Sequence, residues 1–213
     1  MASFSTHINV AGFVSGVGAV SLSLSPKESI LYFFAGMIGG ILPDIDHDNS
    51  KITKTIQYFF SNLIAFFLTY PYIGKYPILN VVLIWFISYL IGNFIFYNIK
   101  QFTKHRGIIH SIPFAFISWF FTTSFLYYYF NVSLKISYLT GFFIFLGYIS
   151  HLILDEIFSV DLLGNRIKKS FGSALKFVSQ NKAVTILTYL FLFIIFAIMP
   201  QKEYILILFK RLN

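Results

Sequence analysis

Five histidines and eight acidic residues are the side chains in this 213-residue chain that could bind a metal through nitrogen or carboxylate oxygen. There is no cysteine, so thiolate zinc sites, disulfides and cysteine nucleophiles are excluded, and a metal would be held by imidazole and carboxylate alone. The donors fall into short segments. Leu42-Pro43-Asp44-Ile45-Asp46-His47-Asp48 puts three carboxylates and an imidazole at the end of an apolar run. Lys104-His105-Arg106-Gly107-Ile108-Ile109-His110-Ser111 carries two imidazoles five residues apart, with Gly107 able to turn the backbone between them and Arg106 able to clamp an anionic oxygen such as phosphate. In Ser150-His151-Leu152-Ile153-Leu154-Asp155 the histidine and aspartate are four apart, which places both on one face of a helix. His7 beside Thr6 has the least local support. Each segment also has a plainer reading: a capped turn, charges facing lipid headgroups, or a buried His–Asp hydrogen bond bracing helices.

The elements that must position these groups are apolar. The chain is 57% hydrophobic and 21% aromatic, with 28 phenylalanines and only 11% charged residues, more apolar surface than a soluble domain can hide. Runs at 56–73, 78–97, 112–130, 136–158 and 183–199 are long enough to span a bilayer as helices, and 8–24 and 30–42 are weaker runs. The expected fold is therefore all-α, a polytopic membrane bundle of about six to seven embedded helices in one domain over 1–213. Its motif core would cover 6–164, a basic surface segment 161–182 and a final span 183–199. The basic segment could form a short amphipathic helix or an ordinary loop. The N-terminus lacks the basic region of a secretory signal, so Met1 is expected to remain in the mature protein.

A net charge of +8 invites a nucleic-acid reading, but the cations sit between apolar runs rather than along a basic stripe, so no nucleic-acid partner is expected. If all seven runs cross, Lys51, Lys54, Lys100, Lys104, Arg106, Arg166, Lys168, Lys169, Lys176 and Lys182 share one side, against Lys27, Lys75, Lys135 and Lys202 on the other. The positive-inside rule makes the richer side cytoplasmic. Every histidine falls at or near that face, as do Asp44, Asp46, Asp48, Asp155, Glu156 and Asp161. Convergence of several segments on one face is a stronger sign of a site than any segment alone.

The motifs Leu42-Pro43-Asp44-Ile45-Asp46-His47, His105-Arg106-Gly107 with His110-Ser111, and Ser150-His151-Leu152 with Leu154-Asp155 resemble those of the YdjM-like, LexA-binding family of inner-membrane metal-dependent hydrolases, over about Thr6 to Gly164. The resemblance implies a helical inner-membrane protein and a reaction class without a substrate. Nothing in the chain shows a LexA-binding surface, and that partner is not carried over.

Residues and resemblance together give His7, Asp44, His105, His110, His151 and Asp155 as expected metal ligands. Asp46 or His47 would serve as a second-metal ligand or general base, and Arg106 as the anion clamp. Zinc is the expected ion, with manganese or iron as alternatives. The expected activity is hydrolysis of a phosphoester or similar bond in a lipid or lipid-linked substrate at the cytoplasmic leaflet, with membrane lipid as the partner. The rival is a metal-binding sensor or ion transporter using the same cluster. The span centres offer only weak donors such as Ser88, Ser118 and Thr122, which argues against an ion path.

Overall fold

Proline, serine and asparagine punctuate the apolar runs, and the helices begin and end at them. The computed structural model describes residues 3–22, 25–46, 51–102, 108–161, 166–167, 175–179 and 181–207. Among these, seven α-helices follow in order: α1 (Phe4–Ser21), α2 (Pro26–Ile41), α3 (Lys51–Thr69), α4 (Ile78–Phe102), α5 (Ile112–Phe130), α6 (Leu134–Ile157) and α7 (Lys182–Ile198). A two-residue antiparallel pair, β1 (Val160–Asp161) with β2 (Arg166–Ile167), follows α6. No helix occurs between β2 and α7 among the described residues.

Ser3 caps α1 by accepting the Thr6 amide at 3.2 Å. Ser25 and Glu28 form a reciprocal capping box, with Pro26 in the first turn of α2. Asn131 ends α5 in the left-handed conformation, at φ 52°. The Lys135 ammonium, 3.0 Å from Glu28, and the Ser25 hydroxyl hold the Glu28 carboxyl below its ordinary value.

The chain divides into two compact units, one of residues 1–43 and 108–213, the other of residues 44–107. In the first, α2 packs on α1 and α6, and α5 packs on α6 and α7. Glycine makes the first of these crossings unusually close. A Cβ on Gly39 would stand 2.0 Å from the Ile144 carbonyl oxygen, one on Gly147 would stand 1.9 Å from that of Gly36, and one on Gly40 would stand 2.5 Å from the Ala11 Cβ. Small residues at a helix crossing of this kind are the usual means of packing apolar helices where lipid removes the hydrophobic drive. Tyr32, Ala35, Phe143 and Ile144 fill the core beside this crossing, and Trp119, Tyr138 and Ile195 fill a second cluster between α5, α6 and α7.

The second unit is the α3–α4 hairpin. Ser61 faces Gly92, Gln57 hydrogen-bonds Asn93 at 3.3 Å, and a 3-10 turn (Tyr70–Tyr72) followed by Gly74 at φ 80° reverses the chain.

The all-α architecture is as expected, while the expected count of six to seven spans is met by length and hydropathy for two of the described helices, Ile78–Tyr97 and Leu134–Ile157. α2 has 16 residues, or about 24 Å of helix, short of a bilayer core of about 30 Å. In α5, Ser118, Thr122, Thr123, Ser124 and three tyrosines dilute the apolar stretch, and α7 has 17 residues, about 26 Å of helix. The two candidates also differ in kind, since the apolar window of α4 is 11% buried and that of α6 is 67% buried. α6 is thus the central helix of its unit, and it carries the residues to which the site belongs.

Candidate metal centre

α6 buries one long face, on which Tyr148, His151 and Asp155 recur at intervals of three and four residues. α1 buries His7, Ala11, Ser15 and Ala19 at intervals of four. Where these two faces meet at the start of α1 and the end of α6, His7 comes against His151 and Asp155. The two imidazoles stack with ring centroids 3.7 Å apart and planes 15° from parallel. His7 Nε2 lies 3.4 Å from Asp155 Oδ1, and His151 Nε2 lies 3.9 Å from Asp155 Oδ2.

The third imidazole comes from the turn preceding α5. The Ser111 amide donates to the Ile109 carbonyl at 2.8 Å, and His110, at the apex, has no positive φ, so Ile109–Ser111 forms an inverse γ-turn. His110 packs edge-on to His151, with ring centroids 5.7 Å apart. One donor atom each from His110, His151 and Asp155 lies within 4.8 Å of the others. His110 and His151 are fully buried, and His7 and Asp155 are 2% exposed.

Three imidazoles and a carboxylate buried in one place must be neutralised or bridged, because an isolated buried charge costs several kcal/mol or more. Two observations make a metal ion the group that fits. First, His151 Nδ1 stands 2.8 Å from the Gly40 carbonyl oxygen, which can only accept, so Nδ1 carries the proton. A neutral ring protonated on Nδ1 offers its Nε2 lone pair on the side of the Asp155 carboxylate, where the two could share a metal ion. A backbone carbonyl on the far nitrogen is also the usual support of a metal-binding histidine. Second, the separations of 3.4 and 3.9 Å are long for charge-assisted hydrogen bonds but close to the edge of a tetrahedron, about 3.4 Å, that follows from zinc–ligand distances of about 2.0–2.2 Å. His7 Nδ1 is likewise buried without a hydrogen-bond partner among the described residues.

Of the residues expected from sequence, His7, His110, His151 and Asp155 come together. Asp44 lies in the 3-10 helix (Leu42–Asp46) after α2, half-buried, at the start of the second unit. His47, His105, Arg106 and the side chain of Asp46 lie outside the described residues. His151 hydrogen-bonds the Gly40 carbonyl through Nδ1, while its Nε2 lies 3.9 Å from Asp155 Oδ2. Sequence reasoning passed over the Gly40 carbonyl and the Tyr148 hydroxyl. The signal for the first was the small-residue pattern Gly36, Gly39, Gly40 and Gly147 in apolar helices.

The fold and site define an all-helical protein with a buried donor set of three histidines and one aspartate. The chain belongs to the YdjM inner membrane protein family, whose model matches residues 1–205. No curated protein and no solved structure matches it.

Proposed function

We propose that this protein is a metal-dependent hydrolase of the inner membrane, acting on a phosphoester or similar bond of a lipid or lipid-linked substrate at the cytoplasmic leaflet. The observation that carries the reading is the burial together of His7, His110, His151 and Asp155, donors of the types a divalent metal takes. Bound there, zinc would supply Lewis acidity and make water a competent nucleophile near neutral pH. His110, His151 and Asp155 would hold the ion, His7 would complete or flank the set, and the Gly40 carbonyl would keep His151 in its binding tautomer. Asp44, Asp46, His47, His105 and Arg106 are proposed from sequence as a further ligand, base and anion clamp. The lipid class of substrate rests on location, because a site near a membrane face meets lipid first. The multi-pass topology with the site on the cytoplasmic side rests on the excess of lysine and arginine there.

One observation favours a second reading. Four protein donors at 2% exposure or less resemble a closed structural site more than a catalytic one, which keeps a coordination position open to water. On that reading the metal holds α1, α6 and the turn before α5 together and breaks no bond.

The test is metal content of detergent-purified wild type by mass spectrometry beside a monodisperse His151→Ala, Asp155→Ala variant. Stoichiometric metal in the wild type only, with metal-dependent cleavage of a phosphoester lipid, supports hydrolysis. Metal without cleavage of any lipid supports the structural reading, and a wild type that binds no metal after supplemented purification refutes both.

A further inference from the structure

Tyr148 is buried to 1% exposure, yet its hydroxyl does not serve the packing around it. It donates to the Ile109 carbonyl, the same oxygen that closes the γ-turn by accepting the Ser111 amide. That turn has His110 at its apex. Three residues further along α6, on the same buried face, is His151, and four beyond that is Asp155. α6 therefore makes a direct hold on the turn that presents the third imidazole, one helical turn from the two donors it carries itself.

We propose that Tyr148 is a positioning residue of the metal centre, setting His110 at the distance from His151 and Asp155 that lets the three act as one ligand set. This rests on the metal-binding reading above and adds to it a residue that touches neither metal nor substrate. The argument is geometric. A ligand on a turn before a helix has more freedom than one within a helix, and binding sites lose affinity when a donor is free to wander. The turn is also held by local and backbone bonds: the Ser111 hydroxyl donates to the Ile108 carbonyl within the turn, and the Ile112 amide donates to the Lys176 carbonyl at 3.1 Å. Tyr148 ties the turn directly to the helix bearing the other ligands. A tyrosine buried only for its ring would be replaced by phenylalanine with little consequence at the site. A positioning tyrosine would not.

The experiment measures zinc dissociation constants by chelator competition, and the visible spectrum of the cobalt-loaded protein, for purified wild type, Tyr148→Phe, His110→Ala and the double variant. The expected result is zinc binding weakened by about tenfold or more in Tyr148→Phe, within the range found when groups supporting metal ligands are removed. The cobalt spectrum should change towards that of His110→Ala. In the His110→Ala background, adding Tyr148→Phe should have no further effect, because the tyrosine acts through that histidine. A merely structural role would lower stability in both backgrounds and leave the cobalt spectrum alone. Wild-type affinity within twofold and an unchanged spectrum in Tyr148→Phe overturn the proposal while the metal reading stands. Absence of zinc binding in the wild type overturns the metal reading itself. Should Tyr148→Phe not purify as a monodisperse protein, Ser111→Ala loosens the same turn from its other side. Unchanged binding and spectrum there would show that turn geometry does not control the site, and would equally overturn the proposal.

Discussion

Gly147→Ala tests whether the close crossing of α2 and α6 is what builds the site. The new methyl carbon would lie 1.9 Å from the Gly36 carbonyl oxygen, 2.8 Å from its carbon and 2.9 Å from the Gly40 nitrogen. All three are backbone atoms, so no side chain can rotate away. Restoring an ordinary carbon–oxygen contact of about 3.3 Å requires the helices to part by more than an ångström. Overpacking of this kind costs about 1–3 kcal/mol. The same movement carries the Gly40 carbonyl out of reach of His151 Nδ1, now 2.8 Å away, which adds about 1–3 kcal/mol for a buried polar group left unsatisfied. A total loss of roughly 2–6 kcal/mol follows if the two add, together with weakened metal binding. Gly16→Ala is the control: it sits in α1, its methyl would meet Phe33 at an ordinary 3.5 Å, and removing a mid-helix glycine should stabilise by about 0.5–1 kcal/mol. The assay is denaturant or thermal unfolding in detergent, with metal content measured on the same samples. Equal stability of Gly147→Ala and wild type, with metal retained, would refute the reasoning.

Other perturbations have different signatures. His7→Ala and His110→Ala are each expected to lower zinc affinity without abolishing the helical circular dichroism, which separates ligand loss from unfolding. Lys135→Ala should cost no more than about 0.2–1 kcal/mol, because its partner Glu28 is accessible to water and such pairs are screened. The Glu28 carboxyl is held below its ordinary value of 4.5, so its contribution is present above that pH and is lost as pH falls below it. The Lys135→Ala deficit, read from unfolding midpoints, should shrink in the same acid range. The cysteine-free chain permits single-cysteine labelling. With the proposed topology, Lys75→Cys reacts with an impermeant maleimide in intact cells, and Lys54→Cys reacts only after the membrane is opened. Asp44→Ala should lower metal content if the Leu42–Asp46 turn supplies a donor, and unchanged content would remove Asp44 from the set.

What could be read from the sequence followed from periodicity. The interval from His151 to Asp155 specifies one helical face whatever surrounds it, and the structure puts both residues on the buried face of α6. The bounds of α5 and α7 were equally legible, because Pro113 with Asn131, and Asn181 with Pro200, mark where helix can begin and end. His7 was the least supported residue, since a histidine near a chain terminus is ordinarily exposed. Its burial follows from the packing of α1 on α2 and α6, where Gly40 stands against Ala11, and long-range packing leaves no periodic mark on the residues it buries. His110 was legible as a donor but not as the apex of a held turn, because the bond that ties the turn to α6 joins Ile109 and Tyr148, 39 positions apart. The span count is less legible for a related reason. Apolar runs report that a segment avoids water, and a helix packed among other helices satisfies that as well as one facing lipid does.

The glycines connect these points. In α2 and α6 they bring backbone to backbone, and that approach delivers a carbonyl to a buried imidazole where no side chain would fit. The Gly40 oxygen holds the His151 proton on Nδ1, which leaves Nε2 for a metal, and Nε2 faces the carboxylate one helical turn away. Substituting Gly39, Gly40 or Gly147 would therefore act on the site through distance rather than chemistry. The donors would all remain, but the tautomer and spacing that make them a ligand set would be lost. The same logic applies to Tyr148, which constrains His110 without touching it. Both supports come from residues with no metal-binding chemistry of their own. Variants at these positions thus separate a built site from a chance grouping of buried polar groups: in a chance grouping they would cost stability alone, and in a built site they would cost metal affinity as well.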